Sequence, residues 1–181
     1  MDSMRPAHSV IDAGGLSVRV DDEFLAASLR FFNSQGGFAT ALREAVGGPL
    51  PEPLRAIRAE LATNFKVTLV WRSPSEILLL CTDTQAFLQL ERRLAAAVDG
   101  CMVDQTGGIR VVRVRGPKTV DLLARLGANC VAPGMGDART GRLAELQVTA
   151  LRLDADEVLL LVERVYAEHL LEWIVVTAGD L

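Results

Sequence analysis

The feature that most constrains the fold of this chain is a hairpin written twice. Val67-Thr68-Leu69-Val70 through Ser75-Glu76-Ile77-Leu78-Leu79-Leu80 aligns without a gap on Val148-Thr149-Ala150-Leu151 through Asp156-Glu157-Val158-Leu159-Leu160-Leu161. Each copy holds two strand-length apolar runs around a polar turn. The first pairs Val67–Trp71 with Ile77–Cys81 around Ser73-Pro74-Ser75, and the second pairs Glu145–Leu153 with Glu157–Val162 around Asp154-Ala155-Asp156. An amphipathic helix follows each hairpin. Phe87, Leu90, Leu94, Ala97 and Val98 form its buried stripe in the first copy, behind a cap at Asp83 or Thr84. In the second copy the helix starts near Val165 and turns Ala167, Leu170, Leu171 and Ile174 inward. A strand, a glycine-bounded helix and a proline-containing loop precede each hairpin. Phe24–Phe32 with Phe38–Gly47 answers to Ile109–Arg115 with Pro117–Gly127, and Pro51 falls near Pro133. The expected fold class is therefore α+β, with duplicated β-α-β-β-α halves related by a pseudo-twofold, because neither copy can bury both faces of its own sheet.

Domain organisation follows from the repeat. Residues 1–15 lack periodicity and are expected to be a mobile N-terminal tail. Residues 16–181 are expected to be one domain of two pseudo-repeats, about 24–98 and 109–175. Leu16–Val20 reads as a short edge strand and Cys101–Val103 as a further strand. Leu54, Ile57 and Leu61 fall at helical spacing after Pro51 and Pro53, which predicts a second short helix there. Asn129 to Gly141 reads as loop. At the joint between Arg115 and the next helix, Pro117 suits a first helical position and Gly127 suits a left-handed stop.

Composition excludes several function classes. A net charge of −4 argues against binding nucleic acid through phosphate neutralisation. Cys81, Cys101 and Cys130 are far apart with no C-x-x-C, which points to a reduced, cytoplasmic protein. The start of the chain has no apolar signal-peptide core, and the longest apolar runs are too short to span a membrane. His8 and His169 have no partner at metal-ligand spacing, so no metal site is expected. Ser73 and Ser75 belong to a turn and have no base beside them, and Gly134-Met135-Gly136 lacks the strand-before, helix-after context of a phosphate loop. No catalytic residue is expected in this chain.

Two residue sets carry the remaining interest. Arg113 and Arg115 share one side of their strand with Ile109 and Val111, placed either to bind a carboxylate bidentately or to make surface ion pairs. Trp71 and Trp173 are partner-interface candidates, with core or rim packing as the alternative. Half of the residues are hydrophobic and 5% aromatic, so Leu, Val and Ala must build the core. Apolar surface beyond the core would cover a partner, or drive self-association of the isolated chain.

Asp104-x-Thr106-Gly107, then a strand ending in Gly116-Pro117 and a Leu-rich helix, resembles the aminomethyltransferase (glycine cleavage T protein) superfamily. Phe24-Leu25 through Leu29-Arg30, Leu50-Pro51, Trp71-x-x-Pro74-x-Glu76-x-Leu78-Leu79, Val112-x-Val114 and Leu171-x-Trp173 extend the likeness. From about Leu16 to Ile174 the chain resembles the gamma subunit family of heterotetrameric sarcosine oxidase. That resemblance implies a fold like the folate-binding domain of the aminomethyltransferases. It also implies a non-catalytic packing subunit, in a complex that oxidatively demethylates sarcosine and hands the one-carbon unit to tetrahydrofolate. FAD, FMN, NAD and tetrahydrofolate are then expected in larger, flavin-binding partner subunits, with no cofactor in this chain. In the aminomethyltransferases a Gly-Gly-Ile-x-Asp-Asp type segment supplies a catalytic acid. The matching place here is Gly141-Arg142-Leu143-Ala144-Glu145, where one acid is missing and the glycine pair is broken. By that resemblance Glu145, with Arg113 and Arg115, is a folate or carboxylate candidate. A stand-alone folate-binding or aminomethyltransferase-like protein and a small-molecule-sensing α+β module are the alternative readings.

Overall fold

The computed structural model describes residues 8–61, 65–127 and 132–181. Its strands are β1 (His8–Ala13), β2 (Leu16–Asp21), β3 (Leu25–Phe31), β4 (Ala56–Glu60), β5 (Lys66–Ser73), β6 (Glu76–Cys81), β7 (Gly100–Asp104), β8 (Ile109–Arg115), β9 (Ala138–Leu143), β10 (Leu146–Asp154) and β11 (Glu157–Glu163). Its helices are α1 (Gly37–Val46), α2 (Thr84–Leu94), α3 (Thr119–Arg125) and α4 (Ala167–Gly179), the last preceded by a 3-10 turn at Arg164–Tyr166.

Residues 24–106 form one unit. Its sheet runs β4-β5-β6-β3-β7, antiparallel throughout. Phe38, Leu42, Phe87, Leu90 and Leu94 of α1 and α2 bury against Leu29, Leu69 and Leu79 on one face of that sheet. Each fully buried Leu or Phe contributes roughly 1.5–3 kcal/mol by leaving water. Gly36 cannot cap α1 itself, so Asp99 does so from beyond α2, accepting from the Phe38 N–H at 2.7 Å. Asp83 caps α2 by accepting from Ala86 N–H at 2.8 Å, as its place in the sequence indicates.

The described residues of 1–23 and 107–181 form the other unit. Its sheet runs β1-β2-β8-β11-β10-β9. Leu122, Leu123, Leu170 and Ile174 from α3 and α4 pack with Val18, Val112, Val114, Val148 and Leu160 on one face. The joint at Gly116 needs glycine twice over. Its φ is 115°, and a Cβ there would collide with the Gly15 carbonyl in the β1–β2 turn.

The duplication is present, and it is longer than the expected β-α-β-β-α. The order β4-β5-β6-β3 recurs as β9-β10-β11-β8, with α1 and α2 answering to α3 and α4. The fifth place is taken by β7 in one sheet and by β2 in the other. β2 precedes β3 in the chain yet pairs with β8, and β7 precedes β8 yet pairs with β3. Each repeat's leading strand thus completes the other repeat's sheet.

Several expectations are corrected. The short helix expected at Leu54, Ile57 and Leu61 is the strand β4. Ile57, Ala59 and Leu61 reach the core at a spacing of two, while Leu54 is exposed at φ 62°. Part of the expected loop to Gly141 is the strand β9, held to β10 in part by a Thr140–Thr149 hydroxyl hydrogen bond of 2.8 Å. The mobile-tail expectation fails at His8–Ala13, which is β1. Its residues 1–7 lie outside the described residues, as do Cys130 and positions 129–131 of the expected loop. With β1 beside it, β2 is an interior strand rather than an edge. The two expected pseudo-repeats, about 24–98 and 109–175, fall in the two separate compact units. α2 ends at Leu94, leaving Val98 exposed instead of in the buried stripe. α3 starts at Thr119, so Pro117 precedes the helix instead of opening it, while Gly127 takes the expected left-handed conformation at φ 87°.

Candidate functional site

Strand alternation decides what the two arginines can do. Val112 and Val114 of β8 point into the helix-covered core, so Arg113 and Arg115 stand on the opposite face. Register places Glu157 of β11 directly across from Arg115, and Asp21 of β2 on the same face, across from Val111. Arg113 donates from Nε and Nη2 to Asp21 Oδ2 at 2.9 and 2.6 Å, and from Nη1 to Glu157 Oε1 at 2.6 Å. Arg115 donates from Nε to Glu157 Oε2, and Arg19 adds an ion pair to Asp21 at 3.6 Å.

The side chains of Asp21 and Glu157 are only 3% and 7% exposed, and that of Arg113 is 16% exposed. Burial works to lower the Arg113 pKa, but its hydrogen bonds to Glu157 and Asp21, and their negative charges, outweigh it and hold the guanidinium above its ordinary value. A buried guanidinium between two carboxylates is stable only because each charge answers another. Arg113 is therefore engaged by the chain's own acids, in the ion-pair arrangement that its strand face allows.

Arg115 differs. Its side chain is 57% exposed and lines an open pocket of about 320 Å³ with Asp154, Ala155, Asp156 and Glu157. A cavity of about 210 Å³, lined by Gly116, Pro117, Thr119, Arg152 and others, shares Ala155, Asp156 and Glu157 with it. The Thr119 hydroxyl is buried without a hydrogen-bond partner among the described residues.

Glu145 does not join the arginines. It occupies the β9–β10 turn at φ 64°, exposed, with Arg142 at 3.5 Å as its ion-pair partner. That turn lies two strands from β8, past the end of the sheet where Arg110 sits, whereas Arg115 is at the other end of β8. The three sequence candidates are not one site.

Trp71 is half-buried on β5, its backbone N–H donating to Arg55 O at 3.0 Å. Trp173 is about half exposed on α4, and Val165, Tyr166 and Val176 are exposed on the same helix and the turn before it. The Asp104-x-Thr106 motif has a structural use. Thr106 N–H donates to Asp104 Oδ1 at 2.8 Å, and Thr106 Oγ1 accepts from Ala26 N–H at 3.1 Å, extending the β3–β7 ladder by one side-chain link. Among the described residues there is no group of His, Cys, Asp or Glu placed to hold a metal, and no helix long and apolar enough to cross a membrane.

Asp21 and Glu157 are the residues that sequence reasoning missed. A signal for Glu157 was present. Glu76 and Glu157 fall at the same place in the repeated hairpin, and Arg30 and Arg115 stand opposite them in matching registers. No comparable signal marks Asp21, which belongs to the exchanged strand.

No protein-family model matches the sequence, and a search of curated proteins finds no match. Solved structures do match in fold. A chain of heterotetrameric sarcosine oxidase from Corynebacterium sp. U-96, in complex with pyrrole 2-carboxylate, superposes with a TM-score of 0.77 at 22% identity. The match covers 94% of this chain and 88% of that one. Glycine cleavage system aminomethyltransferase T from Bartonella henselae matches with a TM-score of 0.69 at 13% identity, over 89% of this chain and 45% of that one. The duplicated α+β fold is shared with both.

Proposed function

We propose that this chain is a gamma-type, non-catalytic subunit of a cytoplasmic sarcosine oxidase-like flavoenzyme complex. In this reading larger partner subunits carry FAD, FMN, NAD and tetrahydrofolate, and this chain packs against them. The observation that carries the proposal is the extent of the fold match. It runs over nearly the whole of both chains in the sarcosine oxidase comparison, but over less than half of the longer aminomethyltransferase chain. Two features support it. Arg113 is bound to the chain's own acids and Glu145 is exposed far from it, so the residues that would serve a folate carboxylate do not converge. The exposed Trp173, with Val165, Tyr166 and Val176, suits a surface that a partner covers, since buried Trp anchors dominate many interfaces.

The test is reconstitution with candidate flavin-binding subunits and assay of sarcosine turnover with and without this chain. The chain is expected to co-purify in the complex, and Glu145→Ala is expected to leave turnover unchanged. Loss of turnover in Glu145→Ala with assembly and flavin content intact would overturn the non-catalytic reading. Micromolar binding of tetrahydrofolate to the isolated chain, measured by calorimetry, would favour the stand-alone folate protein instead.

A further inference from the structure

Four strands form the sheet edges of the described structure: β1 and β9 in one sheet, β4 and β7 in the other. An exposed edge is a template for another strand unless something blunts it, such as a charge or a bulge. β4 carries Arg58 and Glu60, β9 carries Arg139 and Arg142, and the β1 register shifts between Ser9 and Ile11. β7 reads Gly100-Cys101-Met102-Val103-Asp104, regular in register, with one charge at its very end. Cys101 and Val103 are exposed, and two of the most exposed apolar side chains flank the strand, Phe32 at 94% and Val98 at 99%.

The hydrogen-bond parity of β7 is determined by its ladder to β3. Gln105 N–H donates to Ala26 O at 2.7 Å and Phe32 N–H to Asp99 O at 3.2 Å. In an antiparallel pair such bonded positions recur every second residue, so Cys101 and Val103 turn their backbone groups toward β3. Gly100, Met102 and Asp104 turn theirs outward.

We infer that the β7 edge is a docking strand for a second copy of this chain, paired β7 to β7 antiparallel about a twofold axis at Met102. Outward parity admits antiparallel registers centred on Cys101, Met102 or Val103, and only the one centred on Met102 pairs all of the outward residues, bringing Met102 opposite Met102 and Gly100 opposite Asp104. All three outward residues then pair, adding six backbone hydrogen bonds across the twofold. On the face opposite the helices, Cys101 meets Val103 of the other copy, twice. The one charged residue, Asp104, meets glycine, so no like charges oppose each other. The inference goes beyond the proposed function and stands independently of it.

The test is analytical ultracentrifugation of the full chain in reductant over a range of concentrations, with circular dichroism to show that each variant is folded. The wild type is expected to show a monomer–dimer equilibrium. Cys101→Lys/Val103→Lys, at two exposed positions, places lysine opposite lysine across the twofold and should raise the dimer Kd at least tenfold. Cys101→Lys/Val103→Glu places lysine opposite glutamate and should restore dimerisation. The Met102 amide, which points outward, should gain hydrogen-exchange protection as concentration rises. A wild type that stays monomeric throughout would overturn the inference. A dimer that responds to neither substitution, or to both alike, would overturn it too.

Discussion

Glu76 and Glu157 occupy the same place in the two repeats, yet they are neutralised in different ways. Glu76 accepts from Ser28 Oγ at 2.5 Å and pairs with Arg30 at 3.8 Å and Arg72 at 3.5 Å, both of them arginines with much of their side chain in water. Glu157 pairs with the equivalent of Arg30, which is Arg115. At the place matching Ser28, however, stands Arg113. A serine there leaves one half-buried carboxylate answered from the surface. An arginine there goes inside, and its charge requires a second carboxylate, supplied by Asp21 from β2. The same backbone thus supports a half-buried carboxylate answered by two exposed arginines in one unit and a buried Asp–Arg–Glu triad in the other.

The sharpest way to break this comparison is to remove the central charge. Arg113→Ala leaves Asp21 and Glu157 buried without their main partner and is expected to destabilise the protein by about 3–5 kcal/mol in urea unfolding. The triple variant Asp21→Asn/Arg113→Met/Glu157→Gln removes all three charges together and should recover most of that loss. If it is no more stable than Arg113→Ala, the cost lies in packing rather than in uncompensated charge. Next in size is Glu157→Gln, which weakens charge-assisted bonds to two arginines and should cost about 1.5–3 kcal/mol. Ser28→Ala removes one hydrogen bond from Glu76 while its two arginines remain, for an expected cost of about 1 kcal/mol. Equal costs for Ser28→Ala and Arg113→Ala would erase the distinction between the two clusters. Arg115→Ala, at a largely exposed side chain, should change stability by about 0–1 kcal/mol.

The smallest effect is chemical rather than energetic. Cys81 on β6 is buried, and burial pushes its thiol pKa up, with the Asp83 charge adding to this and a backbone hydrogen bond at Asp83 opposing it. Cys101 on β7 is exposed. Alkylation of the native protein, mapped by peptide mass spectrometry, should modify Cys101 readily and Cys81 only on unfolding, because the reactive species is the thiolate. Equal rates at the two sites would show that the sheet holding β6 opens as easily as its edge.

How legible the molecule is from its residues varies by element. The two hairpins are read correctly because β6 and β11 are buried on both faces, so their apolar runs are continuous and their turns polar. α1 and α2 follow from helical spacing and a visible cap. β4 is misread because Leu54, Ile57 and Leu61 fall at spacings of three and four while Ile57, Ala59 and Leu61 fall at two, so the stretch fits either period, and only pairing with β5 resolves the choice. The candidate site is less legible still. Arg113 and Arg115 are correctly placed on one strand face, but whether they serve a ligand or an ion pair depends on what lies across the sheet.

Local patterns in the sequence determined the repeat, the hairpins, most helices and the side of β8 on which the arginines stand. Periodicity and turn chemistry act over a few residues, so the chain displays them directly. Tertiary structure alone decided that β2 completes the sheet of β8 and β7 that of β3, and so brought Asp21 to Arg113 across 92 residues of chain. Backbone hydrogen bonds are the same for any two strands, so pairing partners are chosen by the packing of whole sheets. The charge that meets Arg113 follows from that choice and from register, neither of which is written near Arg113 itself.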